Sequence, residues 1–262
     1  MSDYQHLEIE QDGGVATIWM NRPDKHNAFD GNLIEELTRS ALALGADDGV
    51  RVVVLAGRGK SFSAGADLDW MRRAADYSYE QNLSDARALA AMLRAIAEMP
   101  KPTVARVHGA ALGGGMGLVA ACDIAIASTN AVFATSEVRL GLIPATIGPY
   151  VLRAIGARQA GRYFQTAERI DAATALRIGL VHETVDAEQL DAKLGGLLAA
   201  LLSGGPEAQA ASKRLIAGVS HASLDDALIA DTADRIARIR AGDEAKEGIG
   251  AFLAKRAPAW QA

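Results

Sequence analysis

Two short segments rich in glycine and alanine each follow an apolar run that is typical of a buried strand. Residues 61–68 read SFSAGADL, and residues 107–117 read VHGAALGGGMG. Glycine lets bare backbone amides approach a ligand closely, and a helix start aims its amides at negative charge. Two such amides converging on one carbonyl oxygen form an oxyanion hole, in which each donor is typically worth ~2.7–4 kcal/mol. Each segment alone is better explained as a tight turn, whereas the two together favour an oxyanion hole.

Composition limits the kind of protein that could use this chemistry. The 262 residues are 50% hydrophobic and 23% charged, as in ordinary globular proteins with a substantial core. The net charge of −5 argues against nucleic acid as a partner. A single cysteine, Cys122, allows no disulfide within the chain. The acidic N-terminus lacks signal-peptide features, and the apolar run 109–122 is too short to span a bilayer, so we predict a cytoplasmic protein without a membrane partner.

Alternating strand and helix patterns predict an α/β architecture with right-handed crossovers. Short apolar runs predict strands at residues 5–10, 15–20, 51–56, 103–107, 123–127, 131–134 and 180–185. Capping residues and helical periodicity predict helices at residues 31–44, near 66, and at 79–98, 206–217, 223–241 and 243–255, with Asp30 as the cap of the first. The sequence becomes entirely helical after Pro206, so we expect a C-terminal appendage that packs between subunits.

In order and spacing, several motifs together resemble the enoyl-CoA hydratase/isomerase (crotonase) superfamily. They include NRP at 21–23, FSAGADL at 62–68, HGAALGGG at 108–115 and EVRLGLIP at 137–144. The resemblance runs from end to end. It implies an α/β core built as a spiral of ββα units over residues 1–204 and a helical trimerisation region over residues 205–262. It also implies a homotrimer, or a hexamer made of two trimers.

The resemblance implies an acyl-CoA thioester as substrate, with coenzyme A as part of that substrate and neither a separate cofactor nor a metal. Carried over by position, the backbone amides of Ala66 and Gly114 form the oxyanion hole that holds the thioester oxygen. Glu137 matches a glutamate that handles protons in the superfamily. Phe133, Val138 and other apolar neighbours predict a raised pKa for this carboxyl group.

One position departs from the superfamily's hydratases. They use two glutamates to position a water and shuttle its protons, and the second falls at residue 117, which is glycine here. A single carboxylate suits an isomerase, which removes a proton at one carbon and returns it at another. Segments 67–72, 117–123 and 144–151 resemble instead a bacterial subgroup assigned as methylglutaconyl-CoA or carboxygeranoyl-CoA hydratases.

Three functions therefore remain open at this point. We expect a hydratase that adds water to a 2-enoyl-CoA, with an enoyl-CoA isomerase using the same glutamate as the alternative. A noncatalytic CoA- or RNA-binding scaffold is the third, and the negative charge disfavours RNA.

Substrate-binding candidates follow from the same resemblance. Arg22 and Lys25 lie in the segment that meets the nucleotide phosphates in relatives, and Phe252 and Lys255 reach the adenine end, often in a neighbouring subunit. Trp70 and Met71 are candidates for the wall of the acyl pocket, although ordinary packing explains them equally well. In chain order, the full set is Arg22, Lys25, Ala64, Asp67, Leu68, Trp70, Met71, Phe252 and Lys255.

Overall fold

Nine strands form two sheets within residues 4–220 and 222–261, the part of the chain that the computed structural model describes. The strands are β1 (Leu7–Asp12), β2 (Val15–Met20), β3 (Val52–Gly57), β4 (Thr103–Val107), β5 (Ala110–Leu112), β6 (Ile124–Ser128), β7 (Val132–Ala134), β8 (Ile170–Asp171) and β9 (Glu183–Val185). The larger sheet has the order β1-β2-β3-β4-β6-β9, and β5, β7 and β8 form the smaller one.

Helices follow most of the parallel strands. They are α1 (Gly31–Ala46), α2 (Leu68–Ala74), α3 (Tyr79–Ala97), α4 (Gly114–Ala121), α5 (Gly148–Thr166), α6 (Ala172–Arg177), α7 (Leu190–Ser203), α8 (Pro206–Val219), α9 (Asp226–Ala241) and α10 (Asp243–Leu253). The carboxylate of Asp30 caps α1 by accepting from the amide of Leu33 at 2.9 Å, as the sequence predicts. None of the described helices is long and apolar enough to cross a membrane.

The larger sheet sets where the two glycine-bearing loops leave the core. Strands β1 and β2 pair antiparallel, and the pairs β2–β3, β3–β4, β4–β6 and β6–β9 are all parallel. All six residues of β3 are buried, because helices cover both faces of the sheet. Since β3 and β4 are parallel neighbours, the loops that follow them leave the same edge of the sheet, which brings residues 61–68 close to residues 108–115.

The structure confirms an α/β core with a helical C-terminal region. The predicted bounds of most elements differ from the observed ones by one or two residues. The strand predicted at 180–185 is paired only over Glu183–Val185, and the helices predicted near 66, at 223–241 and at 243–255 are Leu68–Ala74, Asp226–Ala241 and Asp243–Leu253. Leu180 is buried in the core, and its amide donates to the carbonyl of Ala175 in α6 at 2.9 Å rather than to a strand. The sequence analysis missed β5 and β8, whose three and two residues are too short to show a period.

The C-terminal helices present apolar side chains to solvent. Neither α8 nor α9 contains a buried residue among those described. Their apolar side chains Ile216, Ile229 and Ile236 are each more than half exposed. Helix α10 adds Phe252, which is 81% exposed. The break between α7 and α8 falls at residues 204–205, where the sequence analysis places the boundary of the appendage.

Candidate active site

The loop after β3 presents one free backbone amide. The N–H of Phe29 donates to the carbonyl of Gly65 at 2.6 Å, and the N–H of Asp67 donates to the carbonyl of Phe29 at 2.8 Å. These two bonds flank Ala66 as in a parallel strand pair, so the amide of Ala66 points away from Phe29. Ala66 is exposed, and its N–H has no acceptor among the described residues. It is therefore available to a ligand.

The second loop is joined to the first by its own backbone bonds. The N–H of Ser63 donates to the carbonyl of Ala110 at 2.9 Å, and the N–H of Leu112 donates back to Ser63 at the same distance. A side chain at Gly65 would come within 3.0 Å of the carbonyl of Leu112, and Gly65 has a φ of +90°. Glycine is thus needed at this position for the two loops to lie side by side.

Gly114 provides the second amide because α4 begins there. The first residues of a helix have no intrahelical acceptor for their N–H groups, and the N–H of Gly114 has none elsewhere in the described residues. A Cβ atom at position 114 would lie 2.5 Å from Cε2 of Phe29, so the backbone lies directly against that buried ring. Phe29 therefore contacts the segments that carry both amides.

The carboxylate of Glu137 lies against the same glycine loop. Glu137 follows β7 and begins a short 3₁₀ helix, Glu137–Leu140. Its Oε1 would be 3.4 Å from a Cβ atom at Gly113, the residue directly before Gly114, and that Cβ would lie 3.9 Å from Cα of Gly65. One carboxylate and the two loops therefore meet in one place.

Glu137 is half-buried, and its surroundings alter its acidity. The Oε2 atom is buried and has no hydrogen-bond partner in the described residues. Burial raises the pKa of Glu137, because removal from water disfavours the charged form. Val138 and its apolar neighbours Leu140 and Leu142 are themselves exposed, which differs from the apolar surroundings predicted from the sequence. A carboxyl group with a raised pKa and one unpaired oxygen is suited to exchange protons with a ligand.

Comparison with known proteins decides the family. A family model for enoyl-CoA hydratase/isomerase matches residues 10–262. The chain belongs to this family. A crotonyl-CoA hydratase from Syntrophomonas wolfei is 35% identical over 261 residues, covering 97% of this chain and 96% of that protein.

Solved structures of family members have the same fold over nearly the whole chain. An enoyl-CoA hydratase from Shewanella pealeana is 44% identical with a TM-score of 0.96, covering 98% of this chain and 97% of the other. An enoyl-CoA hydratase/isomerase from Marinobacter aquaeolei is 34% identical with a TM-score of 0.93, covering 98% and 100% respectively. The crotonase fold implied by the sequence is thereby confirmed.

Arg22, a phosphate-binding candidate, forms ion pairs with carboxylates of its own chain in this enoyl-CoA hydratase/isomerase fold. Its guanidinium lies 2.9 Å from a carboxylate oxygen of Asp30 and 3.2 Å from one of Asp67. The three side chains are 12%, 16% and 5% exposed, and Arg22 also donates to the carbonyl of Ala28. These contacts join the start of α1 to the loop that carries Ala66, so Arg22 positions that loop.

Asp67 serves the loop in a second way. Its Oδ1 caps α2 by accepting from the amides of Asp69 at 2.8 Å and Trp70 at 3.2 Å. Burial alone would raise the pKa of Asp67, but these bonds and the nearby charges of Arg22 and Lys25 outweigh it and lower the pKa. An ionised Asp67 with these partners fixes the backbone next to Ala66, and the substrate contact expected from the sequence stays a prediction.

We expect removal of the Arg22 side chain to reduce the stability of the fold more than it reduces ligand binding. Arg22→Ala removes the cation that pairs with the buried carboxylate of Asp67 and the partly buried one of Asp30, so we expect the free energy of unfolding to fall by about 3–5 kcal/mol. Denaturant unfolding measures this, and Lys25→Ala is the matched control because Lys25 is exposed. An Arg22→Ala protein of unchanged stability with a raised KM would show that Arg22 binds phosphate instead.

The exposed cations near the loop are better placed for a phosphate. The Nζ of Lys25 lies 3.1 Å from Asp69, which also pairs with Arg72 at 2.6 Å. All three side chains are at least half exposed, and such pairs are weak and exchangeable. Lys25 and Arg72 can therefore turn from Asp69 to an anionic ligand.

The acyl-pocket candidates border the exposed amide of Ala66 to different degrees. Leu68 is 68% exposed, and Ala64 and Met71 are half-buried. Trp70 packs against the core, and its indole N–H donates to Asp85 at 3.0 Å. Leu68 thus has the freest side chain of this group, whereas Trp70 is held by α3.

Phe252 and Lys255 are not brought to this site within one chain. Arg51, just before β3, donates to the carbonyls of Gly204 and Trp260 in the C-terminal region. The C-terminal helices thus pack near the amino end of β3, while the site lies beyond its carboxyl end. Both residues are exposed, which leaves them free for the neighbouring-subunit role that the resemblance implies.

A separate cavity of about 590 Å³ opens between α4, α5 and α8. Its lining includes Tyr150, Arg153, His182 and Lys213, and none of Ala66, Gly114 or Glu137. It touches the carboxyl end of α4, whereas Gly114 begins that helix, roughly 10 Å away at 1.5 Å per residue. We therefore place the candidate site at the two loops, where the free amides and the carboxylate meet, despite the size of this cavity.

Proposed function

We propose that the protein adds water across the double bond of a 2-enoyl-CoA. The observation that carries this proposal is the meeting of the Glu137 carboxylate with the two loops whose free amides belong to Ala66 and Gly114. Relatives named as enoyl-CoA and crotonyl-CoA hydratases support the same reaction. The substrate brings its own coenzyme A, so we propose that no separate cofactor is used.

The reaction follows from these three groups. The thioester oxygen accepts hydrogen bonds from the N–H groups of Ala66 and Gly114. Water attacks C3 while the double-bond electrons move to the thioester oxygen, which gives an enolate. Glu137 takes a proton from the attacking water and delivers a proton to C2 as the enolate collapses. The two amides act where charge develops, so they lower the barrier more than they strengthen substrate binding.

The coenzyme A end of the substrate is proposed to use surface cations. Lys25 and Arg72 would release Asp69 and bind a phosphate. Phe252 and Lys255 would contact the adenine end from a neighbouring subunit. Leu68, with Ala64 and Met71, would border the acyl chain.

An enoyl-CoA isomerase is the second candidate, and Gly117 is the observation that favours it. With no acid at this position, Glu137 could remove a proton from C2 of a 3-enoyl-CoA and return it to C4. The same amides would hold the intermediate enolate. This reaction needs one proton carrier and no activated water.

A panel of thioesters separates the two reactions. Purified enzyme is incubated with crotonyl-CoA, longer 2-enoyl-CoAs, 3-methylglutaconyl-CoA and a 3-enoyl-CoA, and the products are weighed by mass spectrometry. We expect 2-enoyl substrates to gain the mass of one water. A 3-enoyl-CoA that becomes conjugated without a mass change, while no 2-enoyl-CoA is hydrated, would select the isomerase.

We propose that three chains assemble through the apolar C-terminal helices, as a trimer or as a hexamer of two trimers. Ile229 and Ile236 lie seven residues apart on α9 and therefore share a face, which is apolar and unpaired within one chain. Light scattering is expected to give three or six times the chain mass of 27.4 kDa. Ile236→Asp should lower that mass, whereas Arg238→Ala, on the opposite face of α9, should not. A monomeric wild-type protein would refute the assembly.

The expected surroundings of the enzyme complete the proposal. A single cysteine and an acidic surface suit a reducing cytoplasmic compartment without a nucleic-acid partner.

A further inference from the structure

Gly117 lies on the face of α4 that continues from the proposed oxyanion donor. It follows Gly114 by three residues, and residues three apart are neighbours on a helix surface. A side chain at position 117 would therefore extend beside the site. Gly117 is buried, so some other group occupies the space next to it.

That group is Ile147. A Cβ atom built on Gly117 would lie 2.3 Å from Cγ2 of Ile147, 2.8 Å from its Cβ and 3.7 Å from its Cα. Contacts below 3.0 Å essentially never occur for real Cβ atoms, so the two side chains compete for one space. Ile147 is 2% exposed, and its carbonyl accepts from the amide of Val151 in the first turn of α5.

The same loop carries Glu137 at its start and Ile147 at its end. After the 3₁₀ helix, the N–H of Leu142 donates to the carbonyl of Glu137 at 3.0 Å, and α5 begins directly after Ile147. Both ends of the loop are thus fixed, by β7 and by α5. Asp67, the buried carboxylate of the loop that carries Ala66, is already bound to Arg22 and to α2.

We propose that Ile147 is a specificity-determining residue of this active site. Its side chain closes the face of α4 at Gly117 with an apolar wall, which excludes a second acid and any water that such an acid would hold. Glu137 is thereby left to carry all protons in the reaction. The specificity role of Ile147 rests on the proposed function, whereas the competition of Ile147 with a side chain at position 117 is independent of any activity.

A double-mutant cycle followed by thermal unfolding tests whether Ile147 fills the space beside Gly117. Gly117→Ala adds only a Cβ atom, and overpacking should lower Tm by roughly 2–12 °C. Ile147→Gly leaves Cα of residue 147 at 3.7 Å from that atom, so in this background Gly117→Ala should raise Tm by filling the space. Gly161→Ala is the control, because its Cβ would meet nothing within 4 Å and should have the same effect in both backgrounds. An equal loss from Gly117→Ala in both backgrounds would overturn the inference.

A double-mutant cycle followed by activity tests whether Ile147 determines which reaction the enzyme favours. Gly117→Glu alone should lower hydration of crotonyl-CoA, because the new side chain displaces Ile147. Combined with Ile147→Gly, it should raise hydration at least about tenfold over Ile147→Gly alone and leave isomerisation of a 3-enoyl-CoA unchanged. An unchanged ratio of hydration to isomerisation would overturn the role of Ile147. If the wild type hydrates nothing, the proposed function fails, and the unfolding cycle still decides whether Ile147 fills the space at Gly117.

Discussion

Glu137→Gln is expected to lower kcat for hydration of a 2-enoyl-CoA by about 10²–10⁴-fold, with little change in affinity for the thioester. Glutamine keeps the size of the side chain beside Gly113 but cannot take up a proton. Steady-state kinetics and a binding titration with a nonreactive acyl-CoA measure the two quantities. Glu35→Gln, on the exposed face of α1, is the matched control and should retain full activity. Unchanged turnover in Glu137→Gln would remove Glu137 from the mechanism.

The same variant should also change how stability depends on pH. Burial raises the pKa of Glu137 in the folded protein above its unfolded value. The protonated form therefore favours folding, and this contribution is present below the unfolded pKa and is lost as pH rises through the folded pKa. Since glutamine stays neutral, Glu137→Gln should match the wild type near about pH 4 and become the more stable protein at higher pH. A stability difference that does not vary with pH would contradict a buried, ionising carboxyl group.

The raised pKa of Glu137 also determines how activity should depend on pH. As a base, Glu137 must be ionised, so kcat/KM should fall as pH falls through its raised pKa. This loss should begin at a higher pH than for an exposed glutamate. The unfolding data on Glu137→Gln and the activity profile of the wild type should therefore report the same ionisation.

Ala66→Pro is expected to lower kcat by about 10²–10³-fold, because proline has no N–H to donate to the thioester oxygen. The amide of Ala66 makes no hydrogen bond within the described residues, so its loss should leave the folded loop intact. Ala66 is exposed and its φ is not positive, so neither burial nor a left-handed backbone conformation opposes proline at this position. Steady-state kinetics check the loss, and Tm checks the fold.

Ala66→Ser is the matched control for this variant. It changes the side chain while keeping the amide, so its kcat should stay close to that of the wild type. A serine variant as impaired as the proline variant would mean that the side chain at residue 66, and not its N–H group, matters for catalysis.

The two glycine-bearing loops could be predicted from the sequence because their signals are local. Residues 61–68 and 107–117 each combine small residues with a preceding apolar strand, and β3 and β4 then emerge from the same sheet edge. The helix cap at Asp30 was also predicted from its position just before a helical pattern. The short strands β5 and β8 were missed because pairing, and not periodicity, defines them.

Other parts of the site depend on contacts across long stretches of chain. Arg22 was predicted from the resemblance as a phosphate-binding residue, and its ion pair inside the fold forms with Asp67, which lies 45 residues away in sequence. Ile147 lies in the segment 144–151 that resembles a bacterial subgroup, but nothing in the sequence indicates that its side chain meets Gly117. Its proximity to Gly117, 30 residues earlier, exists only once α4 and α5 pack together.

A structure of the protein with a bound acyl-CoA thioester tests the central claim most directly. The thioester oxygen should lie about 2.7–3.1 Å from the amide nitrogens of both Ala66 and Gly114. The carboxylate of Glu137 should face C2 and C3 of the acyl chain, with Ile147 closing the opposite wall beside Gly117. A thioester bound instead in the 590 Å³ cavity between α4, α5 and α8, with both amides left free, would contradict this account.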